Sequence, residues 1–130
     1  RWQTTFNFIS PEELKMPDEY KLYLDNIGLK YYEHTDFTDI ISKADIIYMT
    51  RVQKERFSDP IEYEKVKNVY VLRNSMLKNT KPNLKILHPL PRVNEIHVDV
   101  DSNPKAYYFE QTLNGVYVRQ AILCSILGLK

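Results

Sequence analysis

The stretch Ile46-Ile47-Tyr48-Met49-Thr50-Arg51-Val52-Gln53-Lys54-Glu55-Arg56 sets four apolar residues in a row directly before a polar segment that holds three cations. A continuous apolar run of this length, bounded by polar residues, reads as a strand covered on both faces, the mark of a parallel sheet flanked by helices. The polar residues then leave that strand at its carboxyl end. Open α/β sheets bind their ligands there.

The flanking sequence agrees with this reading. Upstream, Phe37, Ile40, Ile41 and Ala44 fall at i, i+3, i+4 and i+7, which predicts a helix capped by Thr35 or Asp36. Residues 29–33 form a β-type run. A helix is expected over residues 18–27, entered at Pro17, carrying Tyr20, Tyr23, Leu24 and Ile27 at helical spacing and stopped by Gly28. Residues 5–9 alternate as a strand and end at Ser10-Pro11. Downstream come a short helical pattern through Tyr63 and Val66, a strand over residues 70–72, and Asn74 as a cap for residues 75–79. An apolar strand over residues 84–87 is broken by His88-Pro89-Leu90-Pro91, and residues 93–104 read as loop. Residues 105–127 read as one or two helices, interrupted near Asn114-Gly115, with Val118, Ile122, Leu123, Ile126 and Leu127 on a broad apolar face. The alternation predicts an α/β, doubly wound domain: a mostly parallel sheet of about five strands flanked by helices, with a long C-terminal helix.

Composition narrows the function classes. A chain of 130 residues with 43% hydrophobic and 12% aromatic residues is sized for one domain with one core and is not disordered. Lys+Arg 18 against Asp+Glu 17 leaves a net charge of +1, too small a field to point to nucleic acid or an acidic membrane surface. The longest uncharged run near the C-terminus, residues 120–129, is half of the roughly 20 residues a membrane span needs. Arg1-Trp2 does not open a signal peptide, and with no initiator Met the chain is expected to begin elsewhere. The lone Cys124 forms no internal disulfide; it fits a reducing, cytoplasmic address and is expected to pack on an apolar helix face. His34 and His97 have no acidic or thiol cluster at ligand spacing, so no metal site is expected and both are read as structural. Gly28, Gly115 and Gly128 form neither a dinucleotide fingerprint nor a phosphate-binding loop, so no nucleotide cofactor is expected.

Two loops carry the candidate chemistry. In the first, Arg51 at the strand end suits a carboxylate through two parallel N–H bonds, Gln53 suits an amine or a second carboxylate, and Glu55 is placed to hold the Arg51 guanidinium. Lys54 and Arg56 add positive charge. In the second, Pro89 and Pro91 lack N–H groups and restrict the residues before them, so backbone carbonyls at His88 and Leu90 are left free of a normal ladder. A carbonyl at Leu90 facing the crevice suits the NH2 of a small amide-like substrate.

At these loops the chain resembles the aspartate-binding half of aspartate carbamoyltransferase, a family that joins carbamoyl phosphate to L-aspartate in pyrimidine synthesis. The resemblance rests on Tyr48-Met49-Thr50-Arg51-Val52-Gln53-Lys54-Glu55-Arg56, on Leu87-His88-Pro89-Leu90-Pro91-Arg92-Val93-Asn94-Glu95-Ile96, on Asp99-Val100-Asp101, and on Tyr108-Phe109 leading to Gly115 and Arg119. It runs from Phe6 onward. It implies that residues 1–130 are the C-terminal, aspartate-binding domain, that Arg51 and Gln53 bind aspartate, and that Leu90 and Pro91, joined by a cis bond, meet the carbamoyl group. It also implies that residues 54–67 form a mobile closing segment containing Tyr63, with Lys54, Glu55, Arg56, His88 and Arg92 in support. Asn94 stands where some members have Asp, so a latch between Tyr63 and this position would here be a neutral hydrogen bond. The family's carbamoyl phosphate half, with its phosphate motif, is absent from this sequence, so the segment is expected to be inactive and monomeric by itself and to belong to a homotrimer when complete, with no cofactor. The alternatives are a stand-alone dicarboxylate-binding module and an ornithine-type carbamoyltransferase domain.

Overall fold

The computed structural model describes residues 3–129; the side chain of Arg56 lies outside the described part. The chain divides into two compact units, one ending at Lys43 and one beginning at Ala44, where the length alone suggested a single core.

In the first unit, strand β1 (Thr5–Ile9) pairs in parallel with strand β2 (Lys30–His34), in register from Thr5 opposite Lys30 to Ile9 opposite His34. The crossover contains helix α1 (Asp18–Asn26), with Pro17 at its N-cap and Asp18 and Glu19 in a first turn where the helix dipole favours negative charge. Gly28, at φ 71°, closes the helix in the left-handed region that a residue without a Cβ enters freely. Of the apolar positions expected on α1, Leu24 is buried while Tyr20 and Tyr23 are exposed. Lys21 ties the helix to the strand, with Nζ 2.9 Å from Asp18 and 3.2 Å from Glu33. His34 Nε2 meets Asn7 Oδ1 at 3.0 Å across the strand pair. The helix expected around residues 37–44 is the single turn α2 (Thr38–Ile41). Asp36 Oδ1 accepts from the Thr38 N–H and Oγ–H, bonds that hold its carboxyl below the ordinary aspartate range.

In the second unit, strand β3 (Ile46–Tyr48) pairs in parallel with strand β4 (Lys85–Leu87). The Lys85 N–H donates to Asp45 O at 3.0 Å and the Met49 N–H to Leu87 O at 2.9 Å, so the pairing runs past both strand ends. At the other edge of β4, the Ile86 N–H donates to Lys105 O at 2.8 Å and Ile86 O accepts from the Tyr107 N–H at 2.9 Å. Between the two strands lie a 3-10 turn (Lys54–Arg56), helix α3 (Pro60–Val66) and a second 3-10 turn (Asn74–Leu77). Helix α3 starts where the sequence chemistry says it should, with Asp59 Oδ1 accepting from the Ile61 N–H at 2.8 Å and Pro60 in the first turn. Leu72, Leu77, Leu84, Ile86, Ile96, Val100 and Tyr108 make the buried centre.

The parallel pairing and the α/β class agree with the sequence reading. The single sheet of about five strands does not appear among the described residues. Two two-stranded sheets are present, and the strand expected at 70–72 is one parallel bridge, Leu72 to Ile96. The double coverage expected of β3 is not met either, since Ile46 and Tyr48 are 62% and 56% exposed. An apolar run records which surfaces are hydrophobic, and what covers them need not lie in the same segment. Helix α4 (Tyr108–Ile126) is continuous through Asn114-Gly115, where an internal glycine costs about 1 kcal/mol relative to Ala and the rest of the ladder absorbs it. Its expected apolar face at Val118, Ile122, Leu123, Ile126 and Leu127 is exposed, as is Cys124, which therefore does not pack as expected. Among the described residues no helix is long and apolar enough to cross a membrane.

A charged triangle pins the start of α4. Arg92 donates through Nη1 and Nη2 to both Asp101 oxygens, the second bond at 2.6 Å, and through Nη1 to the Tyr108 hydroxyl at 3.2 Å, while that hydroxyl donates to Asp101. The Arg92 bonds hold the Asp101 carboxyl below its ordinary range against the opposing effect of burial, and Tyr108 adds to them. Burial first, then Asp101, pushes the Tyr108 hydroxyl up to about 12.

Ile86→Ala empties a fully buried position and is expected to lower unfolding free energy by about 2–5 kcal/mol in urea denaturation. A carboxyl whose folded-state pKa is depressed stabilises above its unfolded value, roughly 4, and that stabilisation disappears as pH falls through the folded value. Asp101→Asn should therefore weaken the fold at neutral pH and show a flatter loss of stability than the parent between about pH 5 and pH 2, read from thermal midpoints across that range.

Candidate functional site

Because β3 and β4 are adjacent and parallel, the two loops singled out in the sequence leave the same end of the same strand pair. Met49 and Leu87, the residues from which they depart, are hydrogen-bonded to each other.

The first loop places Arg51 just past β3. Its Nη2 donates to Glu55 Oε1 at 2.9 Å and its Nη1 reaches Glu55 Oε2 at 3.5 Å, so the expected carboxylate support is present. The bond to Glu55 raises the pKa of the guanidinium, and the charges of Tyr63 and Glu95 act in the same direction. Arg51 thus feels a residue of the second loop as well as its own. Its side chain is about one-third exposed, which leaves part of the fork open to a ligand. Gln53 and Lys54 are exposed at the start of the 3-10 turn, a segment too short to bury either. Tyr63 lies in α3 with its ring 5.8 Å from that of Phe57. The Asn94 amide donates to Asn68 Oδ1 at 3.2 Å, so the neutral partner of Asn94 in this structure is Asn68, in place of the expected Tyr63.

The second loop is built from hydrogen bonds that the two prolines cannot make. His88 is 1% exposed. Its backbone N–H donates to Gln111 Oε1 of α4 at 2.9 Å. The Leu90 N–H donates to Nδ1 of its ring at 2.8 Å. An N–H donates only to a lone pair, so Nδ1 is unprotonated and the ring proton sits on Nε2, which donates to Glu95 Oε1 at 2.7 Å. Glu95, 6% exposed, accepts also from the backbone N–H groups of Val93 and Asn94, at 3.2 Å and 3.0 Å to Oε2. Leu90 has φ 47°, a left-handed conformation that costs a non-glycine residue about 1–2 kcal/mol and persists where neighbours over-determine it. The Leu90–Pro91 peptide is cis. Arg92 is committed to Asp101 and Tyr108 and supports the turn from behind.

The donors at His88, Leu90, Val93 and Asn94 are thus spent inward, and Pro89 and Pro91 have none. With these four donors committed and two prolines in the turn, its carbonyl oxygens outnumber its remaining N–H groups, and carbonyls suit a ligand NH2 group. Beside it, Arg51 offers two N–H vectors to an anion. Arg51, Glu55, Tyr63 and Glu95 are brought into one electrostatic neighbourhood, and His88, Leu90, Pro91 and Glu95 into one turn. Sequence reasoning assigned no part to Glu95 or Gln111. The signal for Glu95 was available, because a histidine directly after an apolar strand needs a polar partner if it is buried, and Glu95 lies seven positions on. Gln111 lies 23 positions away and had no such signal. Among the described residues no three His, Cys, Asp or Glu side chains gather as metal ligands would.

A family model described as "Aspartate/ornithine carbamoyltransferase, Asp/Orn binding domain" matches residues 1–126. The aspartate carbamoyltransferase catalytic subunit of Bacteroides thetaiotaomicron is 69% identical over 126 residues, 96% of this chain and 40% of that protein. The corresponding subunit of Vibrio campbellii is 53% identical over 123 residues, 95% of this chain and 40% of that protein. Among solved structures, the catalytic subunit of M. jannaschii aspartate transcarbamoylase superposes with a TM-score of 0.84 at 42% identity, over 95% of this chain and 41% of that one. The Trypanosoma cruzi aspartate transcarbamoylase in complex with carbamoyl phosphate and aspartate gives 0.81 at 27% identity, over 92% of this chain and 40% of that one. The chain spans about two-fifths of the length of the curated relatives it matches. With its two loops on adjacent parallel strands and the family model matching almost end to end, the chain belongs to the aspartate/ornithine carbamoyltransferase family, in the part that forms its Asp/Orn binding domain.

Proposed function

We propose that this chain supplies the aspartate-binding half of an aspartate carbamoyltransferase site, within an enzyme that transfers the carbamoyl group of carbamoyl phosphate to L-aspartate, giving N-carbamoyl-L-aspartate and phosphate for pyrimidine synthesis. The observation that carries the reading is the Glu55-braced Arg51 fork beside a proline-bounded turn in which the His88, Leu90, Val93 and Asn94 N–H groups are hydrogen-bonded within the protein. Arg51 binds an aspartate carboxylate, Gln53 takes the amine or the second carboxylate, and the Leu90 carbonyl accepts from the carbamoyl NH2, with Pro91 shaping that wall. Lys54, Arg56 and Tyr63 belong to the segment that closes over the site. The amine of aspartate, having lost a proton, forms the new bond to the carbamoyl carbon as the bond from that carbon to the phosphate oxygen breaks. Catalysis of this kind is positioning and charge stabilisation.

The phosphate needs several donors that neither loop offers, so a separate carbamoyl phosphate domain completes the site, the segment alone is inactive, and no cofactor takes part. Aspartate is favoured over ornithine because the cationic fork attracts a side-chain carboxylate and repels a side-chain ammonium. The assembled enzyme is a cytoplasmic homotrimer, and this domain is doubly wound on a mostly parallel sheet of about five strands.

In the full-length enzyme, Arg51→Ala is expected to raise the KM for aspartate by about 10- to 100-fold, the effect of losing a charge-assisted bidentate contact, and to leave carbamoyl phosphate binding within about twofold. Steady-state kinetics with each substrate varied in turn makes the check; unchanged aspartate kinetics removes Arg51 from the site.

A further inference from the structure

We infer that His88 is a positioning residue that acts as a neutral, Nε2-protonated imidazole: buried Glu95 fixes its tautomer, and its Nδ1 lone pair holds the Leu90 backbone in the orientation that receives the carbamoyl NH2. The inference rests on the functional reading above for its chemical consequence and on geometry for its structural part.

The geometry leaves one protonation pattern. Nδ1 faces the Leu90 N–H at 2.8 Å, so a proton on Nδ1 would set two donors against each other. Nε2 faces Glu95 Oε1 at 2.7 Å, so the ring's single proton has an acceptor there. Glu95 is in turn held as an acceptor, because its two oxygens also receive the Val93 and Asn94 N–H groups. A carboxylate with three donors around it and a histidine with one donor and one acceptor around it are complementary along the whole chain from Asn94 to Leu90. No buried side-chain nitrogen or oxygen among the described residues is left without a partner.

That chain ends on the one residue of the turn with a left-handed backbone. The Leu90 N–H has no strand to pair with, since Pro89 and Pro91 flank it, and the His88 ring is the partner it has. Through Gln111, the same histidine's main chain is also tied to α4. The ring therefore acts like the side chain of an Asx turn, an acceptor that captures the N–H two residues on, with a second nitrogen that reports to a buried carboxylate. His88 and Glu95 are buried, at 1% and 6% exposure, and both act through Leu90.

Two substitutions separate the ring's two jobs. His88→Asn keeps an acceptor oxygen near the Nδ1 position and gives up the bond to Glu95. His88→Gln keeps a donor directed at Glu95 and gives up the acceptor for Leu90. In the full-length enzyme, His88→Gln is expected to lower kcat by about 10- to 100-fold with aspartate KM within about twofold, while His88→Asn stays within about threefold of the parental kcat. Two readouts do not depend on turnover. Nitrogen-15 NMR of the parent should show His88 with an unprotonated Nδ1 and a protonated Nε2, and hydrogen exchange at the Leu90 amide should accelerate in His88→Gln and stay slow in His88→Asn.

A protonated Nδ1, equal exchange at Leu90 in both variants, or a parental kcat per folded site in His88→Gln overturns the inference. Loss of folded protein in both variants leaves the parent's nitrogen spectrum to decide it. Failure of the functional reading has a separate signature, an unchanged aspartate KM in Arg51→Ala, and the Leu90 exchange pattern is unaffected by that outcome.

Discussion

Strand β4 is three residues long and is hydrogen-bonded along both edges, to β3 on one side and through Ile86 to the 105–107 segment on the other. Ile86 itself is fully buried. A strand with no free edge cannot slide in register without breaking bonds on both sides, so the residue that follows it is delivered to a fixed point in space. That residue is His88. The apolar strand, the buried imidazole and the turn beyond it form a sequence of constraints in which each step is set by the one before.

The two loops of the candidate site are held by different physics. Arg51 is held by an exposed carboxylate four residues away, an arrangement that orients a side chain while leaving it free to exchange partners. The 88–95 turn is held by the buried His88 and Glu95, around which three donors converge on one carboxylate and the second ring nitrogen takes the Leu90 N–H, which leaves little freedom. The Arg92–Asp101–Tyr108 triangle extends the rigid side to the first turn of α4.

How much of this was legible in the sequence follows from the range of the forces involved. Hydrophobic periodicity and local capping are short-range, and they found β1, β2, β3, β4, α1 and α3 close to their observed positions, together with Arg51, Glu55 and the proline-bounded turn. The bonds that matter at Gln111 and Tyr108 join residues far apart in sequence, and no local pattern announces them. The exposed faces of β3 and α4 failed for a third reason. An apolar pattern marks a surface as hydrophobic without saying that anything packs on it, and these faces are exposed in the structure, against the expectation.

Both strand pairs are parallel and join residues far apart in sequence, Thr5 with Lys30 in the first and Ile46 with Lys85 in the second, so the closed loops run to about 25 and about 40 residues. Neither can begin as a hairpin, so each must meet a loop-closure entropy before any ladder bond forms, which places the molecule among topologies that fold slowly for their size. The same relation has a permissive side. Because closure entropy grows only with the logarithm of length, the longer connection costs about 0.4 kcal/mol more than the shorter one. The β3–β4 ladder therefore carries an excursion the size of residues 50–84 at almost no thermodynamic cost beyond that of the shorter loop. Closure entropy thus sets no tight limit on the length of that excursion, and its shape is fixed instead by its own buried residues, Val66, Leu72 and Leu77.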